Sequence, residues 1–165
     1  MYRKVNDFLS EWKYESEATI KLFNMLTDES LKKELIGEAR KIGKLAWHIV
    51  ETNNEMLSKT GLKIEGPEID SPVPDTAKEI VDGFTKSAAS VAEQVAKWSD
   101  DDLHTEDEMY GDKWKRGTTL QVLIKHLAHH RGQLTMLMRL AGLKVHGVYG
   151  PAKEEWAAWG MKAPE

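Results

Sequence analysis

Cysteine is absent from the chain. That excludes disulfides, thiolate metal sites and a cysteine nucleophile. Any thiol chemistry must therefore use a thiol brought by a second molecule. Long apolar runs are missing too: no stretch approaches the roughly 18 consecutive apolar residues of a membrane span. The N-terminal segment from Met1 to Trp12 lacks the uninterrupted apolar core of a secretory signal. The expectation is a cytoplasmic protein with no membrane partner. Nor is there a basic excess. The net charge is −4, with both signs interspersed, whereas a nucleic-acid surface normally shows a basic patch or stripe. No nucleic-acid partner is expected.

What the sequence does contain is helical periodicity. Its 165 residues, 41% hydrophobic and 30% charged, suffice for one domain with a sizeable core, expected over residues 1–165. Residues 2–27 read as a first helix, with Val5, Phe8, Leu9, Trp12, Glu15/Ser16, Thr19, Phe23 and Leu26 on one face; its middle turns are only weakly apolar. Thr27-Asp28-Glu29-Ser30 supplies cap and acidic residues for a second helix over about 30–59. Its stripe is Leu31, Leu35, Ala39, Ile42, Leu45, Ala46, Ile49 and Met56. Gly37 and Gly43 lower its helicity and permit close helix approach.

Residues 60–74 are rich in Gly and Pro and read as a linker. Extended, they span about 45–50 Å, enough to cross a bundle lengthwise. Thr76 with Glu79 forms a capping box for a third helix ending near Trp98. Residues 99–117 read as a charged loop, with Trp114 tucked onto the bundle end. The fourth helix covers residues 118–141, capped by Thr118 or Thr119 and ended by Gly142. A turn-rich tail and a short helix over 152–160 close the chain. The expected fold is all-α: a four-helix bundle in up-down-down-up order, with a long crossover between helices two and three and a short C-terminal helix.

The fourth helix carries the chemistry. Leu120, Leu123, Leu127, Leu134, Leu137, Met138 and Ala141 form its apolar stripe. His130 falls near the centre of that stripe, about 20° from Leu123, and His126 lies one turn earlier, about 40° away. Imidazoles at i and i+4 point the same way and can share one ion. Burying them otherwise requires hydrogen bonds, so hydrogen-bonded bundle histidines account for the spacing equally. His129 points about 100° away from His130. It reads as a surface or dimer-facing residue, with Val122, Met136 and Leu140 on its side. His48 lies near the middle of helix two. Mid-helix residues meet at one height whichever way two helices run, so His48 can join His126 and His130. Three neutral histidines with an open position describe a catalytic zinc- or nickel-type site.

The stretch His-Leu-Ala-His-His-Arg-Gly-Gln-Leu, residues 126–134, resembles the signature of the DinB-like (YfiT-like) metalloenzymes. His48 within Leu-Ala-Trp-His-Ile matches that family's helix-two histidine, and Gly147-Val148-Tyr149-Gly150-Pro151 resembles the strap after its last bundle helix. The resemblance implies a four-helix bundle, a divalent ion held by His48, His126 and His130, and frequent homodimers. It also implies transfer of low-molecular-weight thiols of the bacillithiol or mycothiol type to an electrophilic substrate. Metal-dependent hydrolysis is a second possibility; it needs a general base, for which Glu51 is the nearby candidate, an ordinary solvated helix residue being the other reading of it. A metal-stapled binding or stress-response module is a third. Arg131 reads as an ion-pair anchor, Gly132 as a point of close backbone approach and Gln133 as structural. Trp47 and Tyr149 read as pocket-mouth or packing residues.

Overall fold

The computed structural model describes residues 1–35 and 41–164. Four long helices dominate it: α1 (Val5–Phe23), α3 (Ile42–Ser58), α4 (Ala77–Val95) and α5 (Arg116–Leu140). A one-turn helix α2 (Asp28–Leu31) follows α1. A hairpin, β1 (Glu106–Met109) and β2 (Asp112–Lys115), precedes α5. Contacts at the helix ends fix the directions. The Val5 amide donates to Asp100 beyond the end of α4, and the Tyr2 amide donates to Gly117 at the start of α5. The Ala77 amide, at the start of α4, donates to Asp28 beyond the end of α1. Asn54 and Glu55, late in α3, reach Pro67 and Tyr110 at the hairpin end. So α1 and α5 run one way, α3 and α4 the other, which is the expected up-down-down-up order.

The core forms where the apolar stripes meet. Phe8, Trp12, Phe23, Ile42, Ile49, Leu57, Ile80, Phe84, Leu120 and Leu134 are all buried. Phe8 stacks on Trp12 at 5.8 Å, and Phe23 meets Phe84 edge-on at 5.4 Å. The buried Trp12 indole keeps its hydrogen bond by donating to the Ala88 carbonyl at 2.9 Å. The Thr76–Glu79 capping box starts α4 as the sequence predicts, and a second box, Thr27 with Ser30, starts α2.

The second predicted helix is interrupted. Residues 33–35 are not helical, and α3 begins only at Ile42; Gly37 and Ala39 lie outside the described residues. In a continuous helix Leu31 and residue 43 would be about 18 Å apart. Here the two are close: a Cβ on Gly43 would lie 3.1 Å from the Leu31 carbonyl oxygen. Close approach is thus what Gly43 allows, but to the preceding turn rather than to another long helix.

The predicted loop 99–117 also contains structure. Asp101–His104 forms a 3-10 turn, and β1 pairs antiparallel with β2. Tyr110 and Gly111 both have positive φ, 54° and 87°, as a tight two-residue hairpin turn of primed type requires. Trp114 is half-buried against the core, as expected. Arg116 clamps the hairpin, bonding Asp107 at 2.9 and 3.3 Å and lying over the Trp98 ring. With the Arg116 amide donating to Thr105, α5 starts at Arg116, not at Thr118 or Thr119. Its N-cap is Lys115, and the Thr119 hydroxyl reaches back to the Lys115 carbonyl.

At the other end Gly142 closes α5: its amide donates to Arg139 and that of Leu143 to Met138, the paired bonds of a Schellman motif. The tail then folds back. Tyr14 donates to the Val148 carbonyl, and Glu155 accepts from the Gly147 and Ala152 amides and pairs with His146. The closing helix of 152–160 is a 3-10 turn, Trp156–Trp159.

The weakly apolar middle of α1 has a cause. Glu15 and Arg131 form an ion pair with side chains 4% and 2% exposed, Nη2 to Oε2 2.5 Å. Arg131 Nη1 donates to the Glu15 carbonyl and the Thr19 hydroxyl. Tyr149 from the tail completes the group, 2.7 Å from Arg131 and 3.0 Å from Glu15. Removing one partner of such a buried pair strands the other charge. Glu15→Ala is expected to lower stability by about 3–5 kcal/mol in urea unfolding; a loss below about 1 kcal/mol contradicts the structure.

The Glu155 carboxyl behaves differently. Partial burial raises its pKa, but the Ala152 amide, His146 and the Gly147 amide outweigh that and hold it below the usual carboxylate range. Its folded value lies below its unfolded one, so the stabilisation is present above the unfolded pKa and is lost as pH falls through the folded one. Amide exchange at Gly147 and Ala152, corrected for its intrinsic pH dependence, should accelerate through that acidic window. In Glu155→Gln that acceleration should be absent.

Candidate metal centre

His48 stands in the first half of α3, and His126 and His130 sit mid-way along α5. Because α3 and α5 are antiparallel and closely packed, the three meet at one height. Ring centroids are 5.2 Å apart for His48 and His126, 4.7 Å for His48 and His130, and 4.3 Å for His126 and His130. One nitrogen from each lies within 4.8 Å of the others. The Nε2 atoms of His126 and His130 approach to 3.0 Å. An ion bound at about 2.0–2.1 Å from three nitrogens keeps them within about 4 Å of one another, so the cluster needs little closure to share one. All three rings are half-buried, which leaves a side open. The donor set, three imidazoles, could hold a divalent metal ion.

The neighbours of the triad divide sharply. Arg131, about 100° round the helix from His130, points into the α1 side as the ion-pair anchor the sequence suggested. His129 is exposed and lies outside the cluster. Its Nε2 is 3.1 Å from Gln133 Nε2, while Gln133 Oε1 is 2.8 Å from His130 Nδ1. Gln133, read from the sequence as structural, is thus bonded to a member of the triad. The signal was its position three residues after His130, on the same side of the helix. Gly132 departs from expectation: a Cβ there would meet nothing within 4 Å. Among the described residues no backbone outside its own helix approaches it, and it faces the cavity between α5 and the tail with Arg131 and Tyr149.

Glu51 is not a solvated residue. It is 1% exposed, accepts from Ser71 at 3.0 Å and lies 4.0 Å from Lys44 Nζ. Ser71 in turn accepts from the Trp47 indole at 2.8 Å. These bonds fasten the crossover onto α3, and Glu51 is outside the cluster of potential ligands. Trp47 is 8% exposed and packs, its ring only 2.9 Å from where a Cβ on Gly83 would stand. Tyr149 lies on the α1 side, with Arg131 and Glu15.

A four-helix bundle with a three-histidine cluster between two of its helices is the class of structure this defines. The comparisons agree with it: the sequence matches the DinB family over residues 1–162, and the chain belongs to that family. It is 42% identical to the uncharacterized protein YrdA of Bacillus subtilis (strain 168), over all of this chain and 99% of that one. A DinB-like protein from Bacillus cereus ATCC 10987, known from its crystal structure, is 45% identical; the likeness covers 90% of this chain and 100% of the other, with a TM-score of 0.86. A DinB-like protein from Bacillus subtilis, YjoA, shares the fold at 14% identity, with a TM-score of 0.68 over 88% of this chain and 99% of the other.

Replacing His130 by Ala is expected to abolish stoichiometric uptake of a divalent ion, while His129→Ala keeps a stoichiometry near that of the native chain. Elemental analysis of the purified proteins reads this directly. Equal metal content in the two variants contradicts the assignment of ligands.

Proposed function

We propose that this chain is a divalent-metal-dependent enzyme that transfers a low-molecular-weight thiol, of the bacillithiol or mycothiol type, to an electrophilic substrate. The observation that carries the reading is the convergence of His48, His126 and His130, half-buried, with no carboxylate among them. Three imidazoles, of His48 on α3 and of His126 and His130 on α5, would hold the ion, zinc or nickel by donor type. Once bound, such an ion lowers the pKa of a coordinated thiol by several units. The rest falls to the chain. The half-buried setting admits a substrate while it limits water. The absence of cysteine agrees with a thiol that arrives as a cosubstrate.

Metal-dependent hydrolysis is the second reading. It needs a general base within reach of the bound water, and Glu51, the candidate, is buried with its Oε1 hydrogen-bonded to Ser71 beneath the crossover and stands outside the cluster of potential ligands. A metal-stapled binding or stress-response module is the third, and a closed shell of four protein ligands would support it. A homodimer suits the exposed side of α5, where Met136 and Leu140 are 59% and 56% exposed beside His129. Among the described residues no helix is long and apolar enough to cross a membrane; a cytoplasmic setting and small-molecule partners are part of the proposal.

Loss of free thiol should be followed with a panel of cellular thiols and a reactive electrophile, with the ion supplied. The native protein is expected to accelerate consumption, and His48→Ala to reduce it to background. Turnover of esters or amides without any thiol would instead favour the hydrolase. Metal uptake with no turnover of either kind would favour the staple.

A further inference from the structure

Neutral imidazole carries its proton on one nitrogen and offers a lone pair on the other. A histidine whose Nε2 is to bind a metal must hold its proton on Nδ1. In His130 the nitrogen turned toward the cluster is Nε2, 3.0 Å from Nε2 of His126. Its Nδ1 faces Gln133 Oε1 at 2.8 Å. An amide oxygen only accepts, so Nδ1 of His130 must donate. The Gln133 amide could in principle be turned over, with its NH2 against His130. That would force the His130 proton onto Nε2, the atom needed for binding. In the orientation observed, Gln133 Nε2 lies 3.1 Å from His129 Nε2; with the His129 proton on Nδ1, a lone pair there receives one of the amide protons. The chain then runs one way, from Gln133 NH2 to His129 and from His130 Nδ1–H to the Gln133 oxygen.

We propose that Gln133, oriented by His129, is a positioning residue that sets the tautomer of His130 so that its Nε2 lone pair faces His48 and His126. The assignment rests on the reading of the triad as a metal site, and it gives exposed His129 a role two hydrogen bonds removed from the ligand His130. Carboxylates, carbonyls and amides that accept from the outer nitrogen of a ligating histidine commonly change metal affinity by about 10–100-fold when removed. Gln133 is exposed, so its replacement does not disturb the core.

The test has two readouts, neither of them turnover. Histidine-labelled protein at pH 8, treated with chelator, is studied by long-range proton–nitrogen NMR to read each tautomer. Zinc affinity is then measured by competition with a chromophoric chelator. In the native protein His130 is expected in the Nδ1–H form. Gln133→Leu should shift it toward the Nε2–H form and weaken zinc binding by about 10–100-fold. Gln133→Glu, which still accepts from Nδ1–H, should restore both. His129→Ala should keep the stoichiometry but lower the affinity by less than Gln133→Leu does. If Gln133→Leu retains the native tautomer and the native affinity, this proposal falls and the metal site stands. If the native protein takes up no zinc or nickel, the metal reading falls, and the role of Gln133 falls with it.

Discussion

The ion pair between Glu15 and Arg131 is the constraint from which the rest of the arrangement follows. Both side chains are almost completely removed from water, where an uncompensated charge costs several kcal/mol. The guanidinium therefore has one acceptable orientation, toward α1. That sets the rotation of α5 about its own axis. His130 precedes Arg131 and projects about 100° away, so turning Arg131 toward α1 turns His130 and His126 toward α3. A polar pair in the core is a poor source of net stability, but it rejects every other rotation of the helix. Tyr149 adds a third member, bonding both charges, and fastens the tail to the same point.

The crossover between α3 and α4 is fastened to those two helices. Its hydrogen bonds go to those two helices: Glu65 to Ser90, Pro67 to Asn54, Ser71 to Glu51 and Trp47. Returning the chain to the far end of the bundle makes α3 and α4 parallel, and α5 then runs antiparallel to α3. In that relation the first half of α3 lies level with the middle of α5, which is where His48 and His126 meet. The Gly- and Pro-rich composition of residues 60–74 thus bears on the site, since a short turn there would have reversed α4.

Much of this was legible in the sequence because it is local. The stripes of α1, α4 and α5, the Thr76–Glu79 cap and the stop at Gly142 repeat at helical spacing or follow capping rules. His126 and His130 stood out because imidazoles occupied a core-facing stripe. The features that escaped share a different origin. Arg131 and Glu15 are 116 positions apart, and no periodicity announces which carboxylate a buried arginine will find; Glu15 merely made the stripe of α1 look weak. The separation of α2 from α3 goes with a tertiary contact, Leu31 against Gly43, inside a stretch whose apolar pattern alone continues. The hairpin strands, Glu106–Met109 and Asp112–Lys115, are mostly charged and lack the alternation that marks a half-buried strand. Glu51 looked solvated because the residue that covers it, Ser71, belongs to a segment with no regular structure.

The charge of the donor set bears on which chemistry such a site favours. Imidazoles donate lone pairs but no negative charge, and neither Asp nor Glu joins His48, His126 and His130 among the described residues. A dication held this way would keep its full charge, partly shielded from water by α3 and α5. The cheapest way to neutralise it is an anionic ligand from outside, and a thiolate is a softer and stronger partner for zinc or nickel than a carboxylate or water. A carboxylate in the cluster would have reduced that pull. A fourth protein donor would have closed the shell, as in structural zinc sites. Under the proposed function, three neutral donors and one open side would make the triad a poor staple and a good trap for an anion.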